Sequence, residues 1–325
     1  MTDLIGTKKL GRCGLSLTKI GFGGGPVGWL NGELKDLVAT AAIEAAWDAG
    51  IRYFDTAPYY GYGNGEQRLG DVLRGKPRTD FIVSSKVGRL INRCNNGTTN
   101  AESFVYDYSR DGTLRSIEAS ITRLGLDRID IVLIHDIDRW THGAQQPKQF
   151  SAALDGAYQV LSDLRAQGII TAIGLGVNEW QVCHEFAKRV PIDCCLLAGR
   201  LTLLEIEATE TFVPFCETEG IGLIIGGPFN SGILATGTVA EAQYDYAPAP
   251  ARIMARVRRL EEICERYGLR LSAAALAYPL QFSPVSSVIP GLANATEVCA
   301  LRENFGNSFP SEFWAEITAE QMKEC

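Results

Sequence analysis

The stretch IRYFDTAPYYGYGNGEQRLGDVLRGKPRTDFIVSSKVG (Ile51–Gly88) decides the fold. It opens on a short apolar run, Arg52–Asp55, and passes through glycine-rich sequence into a segment of helical period, Glu66–Leu73. It then closes on a second apolar run, Phe81–Lys86. A strand, a crossover helix and a second strand in that order form one βα repeat of a parallel sheet.

Outward from this unit the alternation continues. Further strands are expected at Lys19–Phe22, Ile129–His135, Thr171–Leu175, Asp193–Leu197, Gly222–Ile225 and Val285–Ile289, which brings the total to eight. Between the strands the period is helical at Leu37–Asp48, Leu114–Leu124, Ala152–Ala166, Trp180–Arg189 and Glu210–Glu219. Gly50, Gly125, Gly168 and Gly220 stand where left-handed helix terminators belong. Arg252–Tyr267 reads as an extra helix, and Ser272 as the cap of Ala273–Tyr278 before Pro279. An open nucleotide-binding sheet would carry a glycine fingerprint at its first turn, but GFGGG (Gly21–Gly25) runs into Pro26 without the G-x-x-G continuation. The expected class is α/β: a (β/α)8 TIM barrel over residues 1–325 as a single domain. An N-terminal β-hairpin lies within Met1–Leu17, and extra helices follow strand seven and close the C-terminus.

The 325 residues are 46% hydrophobic and 9% aromatic, ample for one large core and unlike a disordered chain. A net charge of −7 argues against nucleic acid or an anionic membrane, which call for clustered Lys and Arg, so a small molecule is the expected partner. The opening MTDLIGTKKL lacks the apolar run of a signal peptide, and no later stretch reaches the roughly 20 apolar residues of a span. A cytoplasmic location is expected. Nine cysteines are scattered without C-x-x-C or zinc-finger spacing, which fits reduced thiols and no metal.

In such a barrel the chemistry sits at the carboxyl ends of the strands. Three apolar runs end in Asp55, Lys86 and His135, with Tyr60 just beyond the first. A phenol titrates near 10 and needs help to exchange protons near neutrality; a nearby ammonium lowers that value, an aspartate holds the ammonium, and a neutral imidazole binds the reacting oxygen. A metal-dependent hydrolase would have to use His135, Asp136 and Asp138, but neighbours in an extended strand point to opposite faces.

The run FDTAPYYGYGNGEQRLG (Phe54–Gly70) resembles the aldo-keto reductase segment D-T-A-x-x-Y-G-x-G-x-x-E, and SSKVG (Ser84–Gly88) resembles that family's lysine strand. The likeness continues in LIHDID (Leu133–Asp138), IGLGVNEW (Ile173–Trp180), GGPFNSGILATG (Gly226–Gly237) and IPG (Ile289–Gly291). It implies a nicotinamide-dependent oxidoreductase whose tetrad is Asp55, Tyr60, Lys86 and His135, with Tyr60 as acid and base. Gly23 and Gly24 would approach the cofactor and Asn178 its carboxamide. Pro228, Phe229, Asn230, Gly232 and Leu234 would wrap the pyrophosphate, and Gly291, Glu297 and Asn304 would line the adenosine end. The chain departs from the family pattern at Gly176–Asn178, where many members have S-N. It departs again at Ala198–Leu201, where a Gln and a stacking aromatic are usual.

Members preferring NADP present a Lys after I-P and an Arg some six residues on; Gly291 and Glu297 occupy those places here. A carboxylate there repels a 2′-phosphate, so NAD is the expected cofactor. HDIDRWTHG (His135–Gly143) and LAGRLTLLE (Leu197–Glu205) are similar to the subgroup that oxidises aldoses such as L-fucose, L-galactose and D-arabinose at C1 to the lactone. Pyridoxal 4-dehydrogenase activity belongs to the same neighbourhood. Trp29, Asp136, Arg139 and Trp140, with Asp138 and His142, are the candidate substrate contacts. A broad NADPH aldehyde reductase would require a phosphate clamp, and a regulatory, non-catalytic barrel like the potassium-channel β subunits would bind a protein without turnover.

Overall fold

The computed structural model describes residues 5–29, 33–93 and 102–324; the expectations for Met1–Leu4, Cys94 and Cys325 lie outside them. Eight parallel strands run β1 (Phe22–Gly23), β2 (Tyr53–Asp55), β3 (Ile82–Val87), β4 (Ile131–His135), β5 (Ala172–Val177), β6 (Cys194–Ala198), β7 (Gly222–Gly226) and β8 (Val285–Ile289). Each pairs with the next in chain order. Between β8 and β1 the seam closes through Ile20↔Val288 and Gly23↔Gly291 bridges, with Gly21 N donating to Val288 O at 2.9 Å. The first strand is thus two residues long in place of the expected Lys19–Phe22, and Ile20 joins the seam only as an isolated bridge. An antiparallel hairpin, Thr7–Lys9 with Ser16–Thr18, brings Leu10 and Leu17 into the barrel floor.

The helices are α1 (Glu33–Asp48), α2 (Asn64–Leu73), α3 (Arg110–Leu124), α4 (Tyr158–Ala166), α5 (Trp180–Ala187), α6 (Ala208–Glu219), α7 (Ala251–Arg266), α8 (Leu271–Ala277), α9 (Ala295–Asn304) and α10 (Ser311–Gln321). Gly50, Gly125, Gly168 and Gly220 all have positive φ, as terminators require. Three expectations change. The segment Ala152–Ala166 is broken by a π-turn at Ala153–Ala157, where Gly156 packs so close to Tyr108 O that a Cβ would lie 2.2 Å away. Ser272 does not cap α8, because the helix already starts at Leu271 from Arg270. Helix α3 begins four residues early because the Ser109 hydroxyl accepts from Gly112 N at 3.1 Å, a cap hidden in sequence that lacks an apolar stripe. An antiparallel hairpin, Arg89–Arg93 with Glu102–Tyr106, follows β3 and has no counterpart in the expected elements. The seven described cysteines are free thiols.

Side-chain alternation divides the core. Tyr53, Ile131, Leu133, Ala172, Cys194, Leu196, Ile224 and Ile289 fill the barrel interior, while Phe54, Val83, Val132 and Ile134 face the helices. No described helix is long and apolar enough to cross a membrane.

Helices α2 and α3 touch at Gly70, where a Cβ would lie 2.1 Å from Leu124 O. Helix propensity alone makes Gly70→Ala stabilising by up to about 1 kcal/mol. The backbone contact reverses that sign, and a destabilisation of about 1–3 kcal/mol is expected in urea unfolding; a more stable variant would contradict the packing.

Candidate active site

The same alternation that fills the barrel delivers its chemistry. Residues two apart share a face, so Tyr53 and Asp55 on β2, Ser84 and Lys86 on β3, and Leu133 and His135 on β4 point to the barrel axis. Asp55, Lys86 and His135 are last or near last in their strands and meet at the mouth. Lys86 and Asp55 are each 2% exposed. The Lys86 ammonium donates to Asp55 Oδ2 at 2.7 Å, Thr56 O at 2.9 Å and the Tyr60 hydroxyl at 3.3 Å, using all three of its N–H bonds. Asp55 Oδ1 accepts from Ser84, whose oxygen also meets the Tyr53 hydroxyl. Gly176 on β5 gives the lysine its room: a Cβ there would sit 3.1 Å from Lys86 Cε.

Tyr60 is aimed by a left-handed turn, Gly61–Tyr62–Gly63, all at positive φ. Only glycine fits at Gly61, since a Cβ would fall 1.7 Å from Gly28 O. Burial pushes the Tyr60 hydroxyl up to about 12, against the pull of Lys86. The expectation that the ammonium would bring the phenol below its usual value is therefore corrected: desolvation outweighs it, and the phenol is held as a proton donor. Burial would lower Lys86, but Asp55 and Tyr60 hold it above its ordinary value and keep it charged. Burial, with help from Lys86 and Arg89, drives His135 well below 6.5 and leaves the imidazole neutral. Its ring stands edge-on to Tyr60, centroids 6.3 Å apart, and its Nδ1 is buried without a partner. A proton donor, a fixed cation and a neutral hydrogen-bonding ring around one opening can protonate or deprotonate an oxygen while stabilising its charge.

The loop after β4 separates the expected substrate contacts. Asp136 turns back through φ 49° instead of pointing away from His135, and its Oδ2 lies 3.4 Å from His135 Nε2; the opposite-face expectation fails at this one residue. Asp136 also pairs with Arg89. Asp138 is fully buried, and its oxygens accept from Thr141 N at 3.0 Å and Asn178 N at 2.8 Å, so it organises the loop and is not open to a ligand. Glu179 accepts from Arg139 N and Trp140 N, leaving the Trp140 indole 57% exposed and 5.6 Å from the Arg200 guanidinium. His142 packs against Tyr108 and Tyr106. Trp29 stands edge-on to Tyr59 and Tyr62, and Tyr62 stacks on Phe104 at 4.6 Å. Arg89, Tyr59, Tyr62, Phe104 and Tyr106 escaped sequence reasoning; the signal was an arginine immediately after the SSKVG lysine segment and the density of tyrosines about it. Among the described residues no three potential ligands gather in a metal site.

Residues expected at a cofactor are brought together in part. Gly23 bridges to Gly291, and Gly24 N donates to Asp55 O, so strand ends β1, β2 and β8 meet beside the tetrad. Asn230 ties Thr202 to Gly199 O, Phe229 packs into the core and Leu234 is fully buried, so this loop offers a ligand chiefly backbone. Pro228 is buried too, and Gly232 faces open space. Glu297 is spent on a capping box: Asn294 Oδ1 accepts from Glu297 N at 3.0 Å, while the Glu297 carboxylate accepts from Ala293 N at 2.7 Å and from the Asn294 amide. Its carboxylate is thereby fixed at the Ala293 amide, two residues along the chain from Gly291. Asn304 is not brought to them, since it ends α9, about 15 Å along the axis from the cap. The neighbouring Arg302 and Phe305 line a cavity with Ile20 and Ile51 at the opposite, N-terminal face of the barrel.

Eight strands closed on themselves, with polar groups collected at their carboxyl ends, define a (β/α)8 barrel of the enzymatic kind. The profile of the aldo/keto reductase family matches residues 19–321, and the chain belongs to that family of nicotinamide-dependent oxidoreductases. It is 42% identical to a pyridoxal 4-dehydrogenase of Microbacterium luteolum over 97% of both chains, and 35% identical to a D-threo-aldose 1-dehydrogenase of Pseudomonas over 95% of both. Its fold is that of a glycerol dehydrogenase from Gluconobacter oxydans, with a TM-score of 0.76 over 99% of this chain and 96% of that one at 21% identity.

The unfolded chain binds a proton at about 6.5 that folded His135 refuses. Its contribution to stability is present above that pH and lost as the pH falls below it. The urea midpoint should therefore fall less steeply between pH 7 and pH 5 in His135→Asn than in the parent. Asp136, raised by burial to about 6, opposes the trend in both proteins. Parallel slopes would mean that the imidazole is not held neutral.

Proposed function

We infer that this protein is an NAD-dependent dehydrogenase that oxidises a cyclic hemiacetal carbon to a lactone, with C1 of an aldose of the L-fucose, L-galactose or D-arabinose type as its first substrate class. The observation that carries this reading is the meeting of Tyr60, Lys86, Asp55 and His135 at one mouth. With Tyr60 in its phenolate form, the C1 hydroxyl gives its proton to the Tyr60 oxygen, and the C1–H bond gives its electron pair as hydride, so the carbon becomes a carbonyl. When bound, the nicotinamide supplies the hydride acceptor. Lys86 fixes and polarises the phenol oxygen, Asp55 holds Lys86, and neutral His135 steadies the sugar oxygen.

The residues at hand suit that cofactor. The Pro228–Leu234 loop turns bare backbone, including open Gly232, toward the surface a diphosphate needs. Gly23, Gly24 and Asn178 would lie along the nicotinamide half, and Gly291 with the fixed Glu297 carboxylate at the adenosine ribose. That carboxylate favours NAD over a 2′-phosphate.

A second reading has its own observation. The mouth is lined by Trp29, Tyr59, Tyr62, Phe104 and Tyr106, a surface suited to a flat heteroaromatic ring, and the 42% identical relative is a pyridoxal 4-dehydrogenase. Pyridoxal closed on its own hydroxymethyl group offers the same hemiacetal carbon.

Absorbance at 340 nm with NAD or NADP against L-fucose, L-galactose, D-arabinose and pyridoxal tests both. NADH should form with a sugar, and Tyr60→Phe should lower turnover by about 10²–10⁴-fold while cofactor binding persists. Near-normal turnover in the variant would remove Tyr60 from its role; signal with pyridoxal alone would replace the aldose reading by the second.

A further inference from the structure

Arg89 lies three residues beyond Lys86, past Gly88 at φ 101°, and its side chain returns over the mouth. Its guanidinium carbon sits 3.5 Å from the centroid of the Tyr59 ring and pairs with Asp136. The two side chains are only 13% and 9% exposed. Arg89 Nε has no hydrogen-bond partner, and Asp136 holds a left-handed conformation that non-glycine residues adopt uncommonly. A desolvated ion pair is weakly stabilising at best, and an unsatisfied donor inside it is a further cost. Neither group is needed to move the proton between substrate and Tyr60. Yet Asp136 Oδ2 lies 3.4 Å from His135 Nε2, which places the pair one hydrogen-bond length from the ring that meets the reacting oxygen.

We propose that Arg89 and Asp136 together are the specificity-determining contact for a hydroxyl on the carbon next to the reacting carbon. This deepens the proposed function and rests on it: the substrate class becomes a carbonyl compound, open or closed to its hemiacetal, that carries a vicinal hydroxyl. The chemistry is complementary. A hydroxyl both donates and accepts, so it can donate to the Asp136 carboxylate while accepting from an Arg89 N–H; a methylene does neither and leaves the pair's remaining donor and acceptor sites unmet. A carboxylate in that place would meet Arg89 but be repelled by Asp136, which excludes acidic substrates. The 2-hydroxyl of an aldose stands on that neighbouring carbon, whereas the 3-hydroxyl of pyridoxal is one carbon farther from its aldehyde carbon, and Arg89, lying over the Tyr59 ring, is held in place to meet the nearer one.

Matched substrates test the proposal. The parent protein is assayed with NAD on an aldose and its 2-deoxy counterpart, and with NADH on lactaldehyde and propionaldehyde. Each pair is repeated with Arg89→Met, Arg89→Lys and Asp136→Asn, after circular dichroism and NADH binding confirm a folded barrel. The parent should favour the hydroxylated member by about 10²-fold in kcat/KM, and Arg89→Met should reduce that ratio to about threefold or less. Arg89→Lys should restore part of the ratio. Equal losses on both members in the Arg89 and Asp136 variants would overturn the proposal and leave the pair a structural one. Turnover of the aldehydes without the sugars would sink the aldose reading yet still report on the pair through lactaldehyde and propionaldehyde. Silence on all four would overturn both.

Discussion

The buried ion pair between Lys86 and Asp55 is the interaction on which the mouth of this barrel depends. An ammonium and a carboxylate, each 2% exposed, survive in a dry interior only if every valence is met. Here they are: the lysine is ringed by Asp55, Thr56 O and Tyr60, and the aspartate by Lys86 and Ser84. Losing either partner would leave an uncompensated charge worth about 3–5 kcal/mol of stability. The pair fixes the Tyr60 oxygen, the Lys86 charge helps keep His135 neutral, and a Cβ at Gly176 opposite would crowd Lys86 Cε at 3.1 Å.

Much of this was legible in the sequence because it obeys short-range rules. Period-two alternation places Asp55, Lys86 and His135 on inward faces, and glycines at helix ends need only a positive φ. What escaped was set by contacts between segments far apart. Asp138 looks like a sugar ligand in sequence, yet two backbone amides, one of them forty residues away, consume it. Asn304 follows Glu297 closely in sequence, but a helix running down the barrel wall separates them by two turns. Glu297 itself is claimed by a capping box that an N-x-x-E pattern at Asn294–Glu297 does announce. The position of Arg89 just past the lysine strand is a local signal, but its meaning arises only where the hairpin after β3 folds across to the loop after β4.

The electrostatics of the site run opposite to the simplest expectation for a tyrosine beside a lysine. Burial wins, and Tyr60 rests as a neutral phenol near 12. A neutral phenol is ready to give a proton to a carbonyl oxygen, whereas accepting one from a hydroxyl needs the phenolate, a small fraction at neutral pH. The two directions of the reaction therefore differ in their demand on the same oxygen, and the charge of Lys86 is what makes the phenolate reachable at all.

The pH dependence of kcat/KM measured in both directions with the parent protein tests this most directly. With a phenol near 12, oxidation should climb about tenfold per pH unit from 7 to 9 without levelling, while reduction stays flat across the same range. A plateau in oxidation below pH 8 would contradict the account and assign the base to a group other than a buried, neutral Tyr60.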